Sequence, residues 1–424
     1  MSVIPSGRLS RLYKLVRLGP QVGGAMLLGE GRRRAVADRM MHTLGELKGG
    51  SMKLGQLLAQ LADSGLPVEL QERLAGLFHE AEPLAWEQIE PVLHAELADL
   101  GLLDTVDHTA FASASLGQVH RAVLRDGRTV AMKVQYPGVA AALAQDVANL
   151  RQLAMVGTAG GFAFDIAAQL GAMQDALEGE LDYARERASL QAFAALLAPW
   201  PALRIPAPIA ALCSARVLTT ELLEGPTLHH LPQETTTAER EVLADLLVRA
   251  VLLPLLVGDH INADAHPGNF VLLPGPALGL LDFGAVRRTS PACALGLRAL
   301  LVVLLDDPRA DIVPALQAFG FTFDPEHRRV RRVADGLRDA LRPVVAGPHD
   351  FASDRTLLAL GELKQAHPLD AMHFVPPPDL MHLMRALMGL LHGLRTLAVT
   401  TNLAPTLRAL LATPSLSPSA AARR

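Results

Sequence analysis

Two short stretches decide the fold: Asp264-Ala265-His266-Pro267-Gly268-Asn269 and Leu281-Asp282-Phe283-Gly284. Asp264 and Asn269 are five residues apart, so one loop can present a carboxylate and an amide oxygen to the same space. The apolar run before Asp282 is typical of a strand, which places this carboxylate at the mouth of a second loop. Oxygen ligands suit Mg²⁺, and these separations match the catalytic and Asp-Phe-Gly loops of protein kinases. We therefore predict a kinase-like fold in which Asp264 orients the acceptor and Asn269 and Asp282 bind Mg²⁺.

A lysine that fits this chemistry lies in the run Val130-Ala131-Met132-Lys133-Val134, which is typical of a strand. A kinase lysine in this setting reaches the α- and β-phosphates of ATP. The segment before it lies where a phosphate-covering loop belongs, with Ala and Ser where ordinary kinases have glycine. The residues of that segment predicted to contact the nucleotide are Ala114, Ser115, Gly117 and Gln118. The alternative interpretation of Lys133 is an edge-strand lysine in water, and the Asp and Asn residues alone could reflect turn chemistry.

Lys133 needs an acidic partner, and the run from Glu180 to Glu186 supplies three carboxylates, with Asp182 between them. The surrounding pattern is helical, and on one helix Glu180 and Glu186 would point to different faces. A charged, solvated helix face is the commoner explanation for such a run. Spacing alone therefore leaves open which glutamate pairs with Lys133.

The order of patterns along the chain predicts an α+β protein with two lobes. A β-hairpin is expected at Gln118–Leu124 and Thr129–Gln135, joined by an Asp-Gly turn, and another strand at Ala215–Leu222. The larger lobe is expected to be mostly helical, with one loop-rich island at His260–Val286. The predicted domains are a helical N-terminal extension without β-rich sequence at 1–105, a small mixed lobe at 106–225, a helical lobe at 226–412 and a disordered tail at 413–424.

Composition limits the function. The chain has 424 residues, of which 50% are hydrophobic, and a formal net charge of −4, which disfavours nucleic acid as a partner. Its two cysteines, Cys213 and Cys293, are expected to be free thiols in the cytoplasm. The apolar runs are short or interrupted by charge, so no membrane-spanning helix or signal peptide is predicted. Basic and apolar residues alternate near the N-terminus, which is consistent with a solvated helix face or with peripheral contact with a membrane.

These residues resemble the UbiB/AarF family of atypical kinases, which is linked to ubiquinone biosynthesis. Four stretches carry the resemblance: a KxGQ signature at Lys53-Leu54-Gly55-Gln56, an alanine-rich loop at Ala112–His120, an ExD signature at Glu180-Leu181-Asp182 followed by Glu186, and the two catalytic stretches. A weaker match lies at Pro376–Leu380 with Arg385. The KxGQ and ExD signatures are specific in combination, because ordinary kinases lack both.

The resemblance implies roles for the remaining residues. Lys133 would pair with Glu186 and contact the phosphates, and the strand ending at Glu221 would meet the adenine. Lys53 and Gln56 would reach the active site from the extension, near Glu180 and Asp182. In the family this extension blocks the place where a protein substrate would bind. The implied activity is therefore ATP hydrolysis, or phosphorylation of a small molecule, a lipid or a quinone precursor, with ATP and Mg²⁺ bound.

The sequence departs from the family pattern at three positions. Asn262 stands where the family usually has a histidine that packs under the Asp-Phe-Gly loop, Ala265 stands where it often has proline, and Ser113 interrupts the alanine run. Asn262 is therefore expected to weaken the support of that loop and to lower activity. A catalytically silent nucleotide-binding scaffold is one alternative hypothesis. A small-molecule kinase of the aminoglycoside- or choline-kinase type is another, which the KxGQ signature disfavours.

Overall fold

The structure is a computed structural model that describes residues 83–114, 116–142, 144, 179–307, 309–325, 327–366 and 374–414. The described residues form two compact units. The first unit contains the residues up to Arg187 together with Pro208–Leu222, and the second contains Ala188–Ala207 and the residues from Leu223 onward. The predictions for Lys53, Gln56 and Ser115, and for the basic N-terminus, lie outside the described residues.

The described chain contains both helices and strands, numbered here in chain order. The helices are α1 at Trp86–Glu96, α2 at Tyr183–Leu197, α3 at Thr237–Gly258, α4 at Pro291–Asp306, α5 at Val313–Phe319, α6 at Arg328–Val345, α7 at Thr356–Ala366, α8 at Leu380–Leu397 and α9 at Ala404–Ala412. The strands are β1 at Leu103–Val106, β2 at Ala112–Ala114, β3 at Gly117–Leu124, β4 at Thr129–Gln135, β5 at Leu203–Arg204, β6 at Val217–Glu221, β7 at His260–Asn262, β8 at Phe270–Leu273, β9 at Ala277–Leu280, β10 at Val286–Arg288, β11 at Pro348–Asp350 and β12 at Thr400–Asn402.

A five-stranded antiparallel sheet organises the first unit, with the order β1-β3-β4-β6 and β2 paired with β3. The predicted hairpin is confirmed, because β3 and β4 pair up to Val123 opposite Thr129, and Gly127 takes a positive φ of 85° in the turn. Ile89 and Leu93 of α1 belong to the same buried cluster as Met132 of β4. Strand β1 begins at Leu103, within a region expected to lack strands, because four residues are too few to show an alternating pattern.

The core of the second unit surrounds α3, whose residues from Leu246 to Gly258 are almost all buried. A capping box starts this helix: the side chain of Thr236 accepts from the Glu239 N–H, and Glu239 Oε2 accepts from the Thr236 N–H. Apolar residues of α4, α8 and α9 join this core. No helix among the described residues is long and apolar enough to cross a membrane.

The loop-rich island predicted at His260–Val286 contains more regular structure than expected. Strand β7 pairs with β10, and β8 pairs with β9, both antiparallel, while β5 adds to β9 in parallel. A further short pair, β11 with β12, was not predicted at all. Strands of two to four residues present too few alternating positions for a pattern to be recognised.

Candidate active site

Two paired strands bring the catalytic loop and the Asp-Phe-Gly loop together in the second unit. The catalytic loop joins β7 to β8, and the Asp-Phe-Gly loop joins β9 to β10. Because β7 pairs with β10 and β8 pairs with β9, both ends of the two loops are held side by side. The backbone N–H of Leu281 also donates to the carbonyl oxygen of Asn269 at 3.0 Å. Asn269 and Asp282, which are thirteen positions apart in sequence, therefore lie at the same end of one hairpin.

Asp264 and Asn269 contact each other inside the catalytic loop. The side-chain Nδ2 of Asn269 donates to the carbonyl oxygen of Asp264 at 3.0 Å and to its carboxylate Oδ2 at 3.1 Å. A short 3-10 turn at Pro267–Asn269 closes the loop, and Nδ1 of His266 accepts from the Gly268 N–H at its start. Since Nδ2 faces Asp264, Oδ1 is the atom of the Asn269 amide that could bind a cation.

Asp282 is half-buried, and its Oδ1 accepts from the Gly284 N–H at 2.9 Å. The next residue, Phe283, is fully buried, and its ring meets that of Phe193 edge to face, with 5.4 Å between centroids. Both rings belong to the core of the second unit. The loop that carries Asp282 is thus anchored by an aromatic side chain on one side and by a local hydrogen bond on the other.

The contacts of Asn262 contradict the expectation that this residue weakens the support of the Asp-Phe-Gly loop. Its Nδ2 donates to the carbonyl oxygen of Asp282 at 2.7 Å, and its Oδ1 accepts from the Asp264 N–H at 3.0 Å. The amide therefore bridges the two loops. The sequence interpretation treated the loss of the histidine as the loss of a hydrogen bond, but an amide has both a donor and an acceptor to offer.

In the first unit, Lys133 pairs with Glu186. The Lys133 Nζ lies 2.8 Å from Oε1 and 2.9 Å from Oε2 of Glu186, and 5.0 Å from the centre of the Tyr183 ring. The Glu186 side chain is 3% exposed and that of Lys133 is 18% exposed. The pair that the resemblance implied is therefore present, in a setting that shields it from water.

Glu180 and Glu186 do not share one helix, contrary to the expectation from periodicity. Helix α2 begins at Tyr183, and a turn at Leu181 and Asp182 separates it from Glu180. The reason is a local cap: Oδ1 of Asp182 accepts from the N–H groups of Ala184 and Arg185 at 3.0 and 3.2 Å. Asp182 is exposed and Glu180 is half-buried.

The predicted phosphate-covering loop is a tight hairpin between β2 and β3. Ala114 pairs with Gly117 across the turn. A Cβ added to Gly117 would lie 2.2 Å from the carbonyl oxygen of Val134, so only glycine allows this close approach of β3 to β4. The backbones of β3 and β4 therefore approach each other at Gly117 without room for a side chain.

Gln118 does not lie where it could contact a nucleotide, contrary to the prediction from the sequence. Its side chain is fully buried, where Oε1 accepts from the Leu84 N–H at 2.8 Å and Nε2 donates to the Leu84 carbonyl at 3.1 Å. Its Nε2 also lies 2.9 Å from Nε2 of His120, whose Nδ1 lies 2.7 Å from the carbonyl oxygen of Asp107. Burial lowers the pKa of His120, the largest effect on that ring. A side chain buried in this network is not available to a nucleotide, so Gln118 connects β3 to the segment before α1.

Glu221 ends β6, as predicted, and lies opposite Val130 of β4. The first unit ends one residue later, at Leu222. The predicted site residues thus fall into two groups in the described chain: Asp264, Asn269 and Asp282 in the second unit, and Ala114, Gly117, Lys133, Glu186 and Glu221 in the first.

The donor atoms near Asp282 fit Mg²⁺ by their chemistry, because they are carboxylate and amide oxygens. Among the described residues, no group of three or more His, Cys, Asp or Glu side chains is arranged to hold a metal ion. Mg²⁺ is commonly bound through only one or two carboxylates together with substrate phosphates, so Asp282 and Asn269 can be sufficient protein ligands. Sequence reasoning missed Phe193 and the bridging role of Asn262, because neither contact has a recognisable local pattern.

A family model described as the ABC1 atypical kinase-like domain matches residues 76–315, which is more than half of the chain. The chain belongs to this family. The resemblance inferred from the motifs and the kinase-like α+β fold are both confirmed. A similar solved structure, the complex of Rv3197 with erythromycin from Mycobacterium tuberculosis, has a TM-score of 0.66 and 26% identity, and the match covers 90% of this chain and 98% of that one.

The curated relatives of this chain include proteins whose names describe them as mitochondrial atypical kinases. The chain is 34% identical over 260 residues to atypical kinase coq-8 of Caenorhabditis elegans, covering 60% of this chain and 34% of that protein. It is 33% identical over 306 residues to atypical kinase COQ8B of Rattus norvegicus, covering 67% and 57%, and 28% identical over 319 residues to COQ8 of Saccharomyces cerevisiae, covering 71% and 63%. The chain thus spans between about a third and two thirds of the length of these ABC1 relatives.

Proposed function

We propose that this chain is an atypical kinase or ATPase that binds Mg-ATP. The observation that carries the proposal is the joint placement of Asp264, Asn269 and Asp282 on two paired loops of the second unit. The Lys133–Glu186 pair of the first unit supports it independently. Membership of the ABC1 atypical kinase-like family supports the same class of chemistry.

The proposed roles follow from the contacts of each side chain. Lys133 binds phosphate oxygens, and Glu186 holds its ammonium group in place with two carboxylate oxygens. Asp282 and Asn269 Oδ1 bind Mg²⁺, which neutralises phosphate charge when bound. Asp264 accepts the proton of the attacking hydroxyl or water, and the Asn269 amide that donates to its Oδ2 fixes the orientation of that carboxylate. Glu221, at the end of β6, lies at the strand that we assign to adenine.

The proposed acceptor is water, a small molecule or a lipid-like molecule in ubiquinone biosynthesis. The support for this pathway is the likeness to the atypical kinases named coq-8 and COQ8. Lys53 and Gln56, in the KxGQ signature, remain proposed contributors to the site, as do Glu180 and Asp182. A catalytically silent scaffold is the second hypothesis. The departure at Asn262 and the altered phosphate-covering loop favour it, but the bridging hydrogen bonds of Asn262 argue against the first of these reasons.

A lipid-like partner has support from helix α8. Met381 and Met388 are 56% and 37% exposed and are seven residues apart, so they lie on one face of the helix. Arg385 and Arg395 lie on or beside the same face, and α8 itself contains no acidic residue. Exposed apolar side chains among basic ones are typical of a helix that contacts an anionic bilayer surface. We assign to this face the peripheral membrane contact of a protein in the cytoplasm.

The experiment that tests the function is ATP turnover by the purified protein, with Asp282→Ala as the blank. The assay is repeated with vesicles and with isoprenoid quinone precursors, since either addition could supply the acceptor. Turnover by the native chain that is lost in Asp282→Ala supports the proposal. Equal turnover by both proteins contradicts the role assigned to Asp282, whereas Mg-ATP binding without any turnover under all conditions favours the scaffold.

A further inference from the structure

Asn262 lies at the last position of β7, directly before the catalytic loop. Both ends of its amide are used: Nδ2 donates to the carbonyl oxygen of Asp282 at 2.7 Å, and Oδ1 accepts from the N–H of Asp264 at 3.0 Å. The two partners are twenty and two positions away in sequence. One half-buried side chain thus joins the backbones of the two aspartates to which we assign the chemistry.

The strands around Asn262 explain why a short amide reaches both partners. Asn262 is paired with Val286 in the β7–β10 ladder, so its backbone is held beside the exit of the Asp-Phe-Gly loop. The Ala263 N–H donates to the carbonyl oxygen of Ala285 at 3.2 Å, which continues that ladder by one step. The side chain then has to span only the remaining distance to residue 282, which two bonds beyond Cβ provide.

Few other side chains offer the hydrogen-bond donor and acceptor that Asn262 supplies to the two loops. A carboxylate of the same shape keeps the acceptor for Asp264 but cannot donate to the Asp282 carbonyl, and it adds a negative charge near two others. An apolar side chain would leave the Asp264 N–H and the Asp282 carbonyl oxygen without this partner. Leaving a buried polar group without a hydrogen bond costs more free energy than a typical hydrogen bond contributes. Histidine, which has a donor and an acceptor nitrogen, is the residue with a comparable capacity.

We propose that Asn262 is a positioning residue that holds the catalytic loop and the Asp-Phe-Gly loop in register, so that Asp264 and Asp282 act on one reaction. The proposal rests on the proposed function for its catalytic meaning. Asn262 touches neither nucleotide nor metal in this account; it acts through the backbones of Asp264 and Asp282.

The experiment compares Asn262→Asp, Asn262→Leu and Asn262→His with the native chain. Asn402→Asp is the matched control, because Asn402 Oδ1 accepts a backbone N–H, from Ala404, in the same unit and away from the two loops. Asn262→Asp is expected to lower kcat by about tenfold or more, the factor that corresponds to about 1.4 kcal/mol. The affinity of Asn262→Asp for ATP without Mg²⁺ is expected to stay close to the native value. Asn262→His is expected to retain most of the native kcat. Asn402→Asp is expected to leave turnover unchanged.

Amide hydrogen exchange in the nucleotide-free protein is the readout that does not require turnover. In Asn262→Leu, the backbone amides of Asp264 and Gly284 are expected to exchange faster, while those of β3 and β4 stay protected. A native chain without ATP turnover would end the proposed function but leave this exchange result to decide the bridge. Unchanged exchange at Asp264 and Gly284, or a kcat in Asn262→Asp equal to that of the native chain, would overturn the proposal.

Discussion

The Lys133 ammonium group lies within 2.9 Å of both carboxylate oxygens of Glu186. This contact joins strand β4 to the first turn of helix α2, and the Glu186 side chain is 3% exposed. A buried carboxylate is tolerated only when it is paired. Removing one partner alone is therefore expected to destabilise the first unit, because it leaves the other charge without its counterion.

Removing Lys133 alone tests both roles. Lys133→Met removes the ammonium group that contacts both oxygens of the buried Glu186 carboxylate, so a loss of about 3–5 kcal/mol in the free energy of unfolding is expected. Lys133→Met with Glu186→Leu is expected to recover most of that loss, because no buried charge is left. Urea unfolding measures the stability of each variant, and titration with ATP measures its affinity.

Neither variant is expected to bind ATP at native strength, since the proposed phosphate contact is gone in both. The double variant separates folding from function. If it recovers stability and also binds ATP like the native chain, the phosphate role of Lys133 is wrong.

The contact between Phe193 and Phe283 is expected to determine the stability of the second unit. Both side chains are fully buried, so Phe193→Ala would leave a cavity and lower the free energy of unfolding by about 3–5 kcal/mol. Phe193→Leu is expected to cost less, because it keeps most of the buried volume. Chemical denaturation monitored by circular dichroism gives both values. Equal stabilities of the native chain and Phe193→Ala would show that this ring does not anchor the Asp-Phe-Gly loop.

Cys293 on helix α4 gives the fold a pH dependence in the alkaline range. Burial raises the pKa of its thiol from 9.0 to about 12, and the carboxylates of Asp379 and Asp259 add to the effect. Because the folded state keeps the proton longer, this contribution to stability is complete below pH 9 and is lost as the pH rises from 9 towards 12. The free energy of unfolding of Cys293→Ala is therefore expected to fall less steeply above pH 9 than that of the native chain. Parallel curves would contradict this assignment.

The exposed face of α8 predicts binding to anionic vesicles. Arg385→Gln with Arg395→Gln is expected to weaken co-sedimentation with vesicles rich in phosphatidylserine by about thirtyfold, since each of the two basic residues contributes about 1 kcal/mol near such a surface. Arg408→Gln is the control, because Arg408 lies on α9 and pairs with Asp306 at 2.8 Å. Equal binding by all three proteins, or none by the native chain, would exclude this face as a membrane contact.

The parts of the site that could be predicted are those with fixed spacing in sequence. Asp264, Asn269 and Asp282 lie in loops bounded by apolar strands, and the β3–β4 hairpin has an Asp-Gly turn. The family likeness followed from the same motifs. These features depend on neighbouring residues, so a local pattern is enough to recognise them.

The parts that could not be predicted depend on contacts between distant residues or on single hydrogen bonds. The Asp182 cap starts α2 three residues after Glu180 and separates the two glutamates, which periodicity alone had placed on one helix. The Gln118 side chain is directed to Leu84, thirty-four positions away, and Asn262 to the carbonyl of Asp282. A side chain that can both donate and accept gives no sign in the sequence of which partner it will find.

The measurement that tests the central claim most directly is the Mg²⁺ dependence of ATP affinity in the native chain and in Asp282→Ala. Asp306→Ala, which removes an exposed carboxylate from the same unit, is the control. The account predicts that Mg²⁺ tightens ATP binding by the native chain and by Asp306→Ala, and that Asp282→Ala loses this Mg²⁺-dependent gain while it stays folded. Equal Mg²⁺-dependent binding by Asp282→Ala and the native chain would contradict the account.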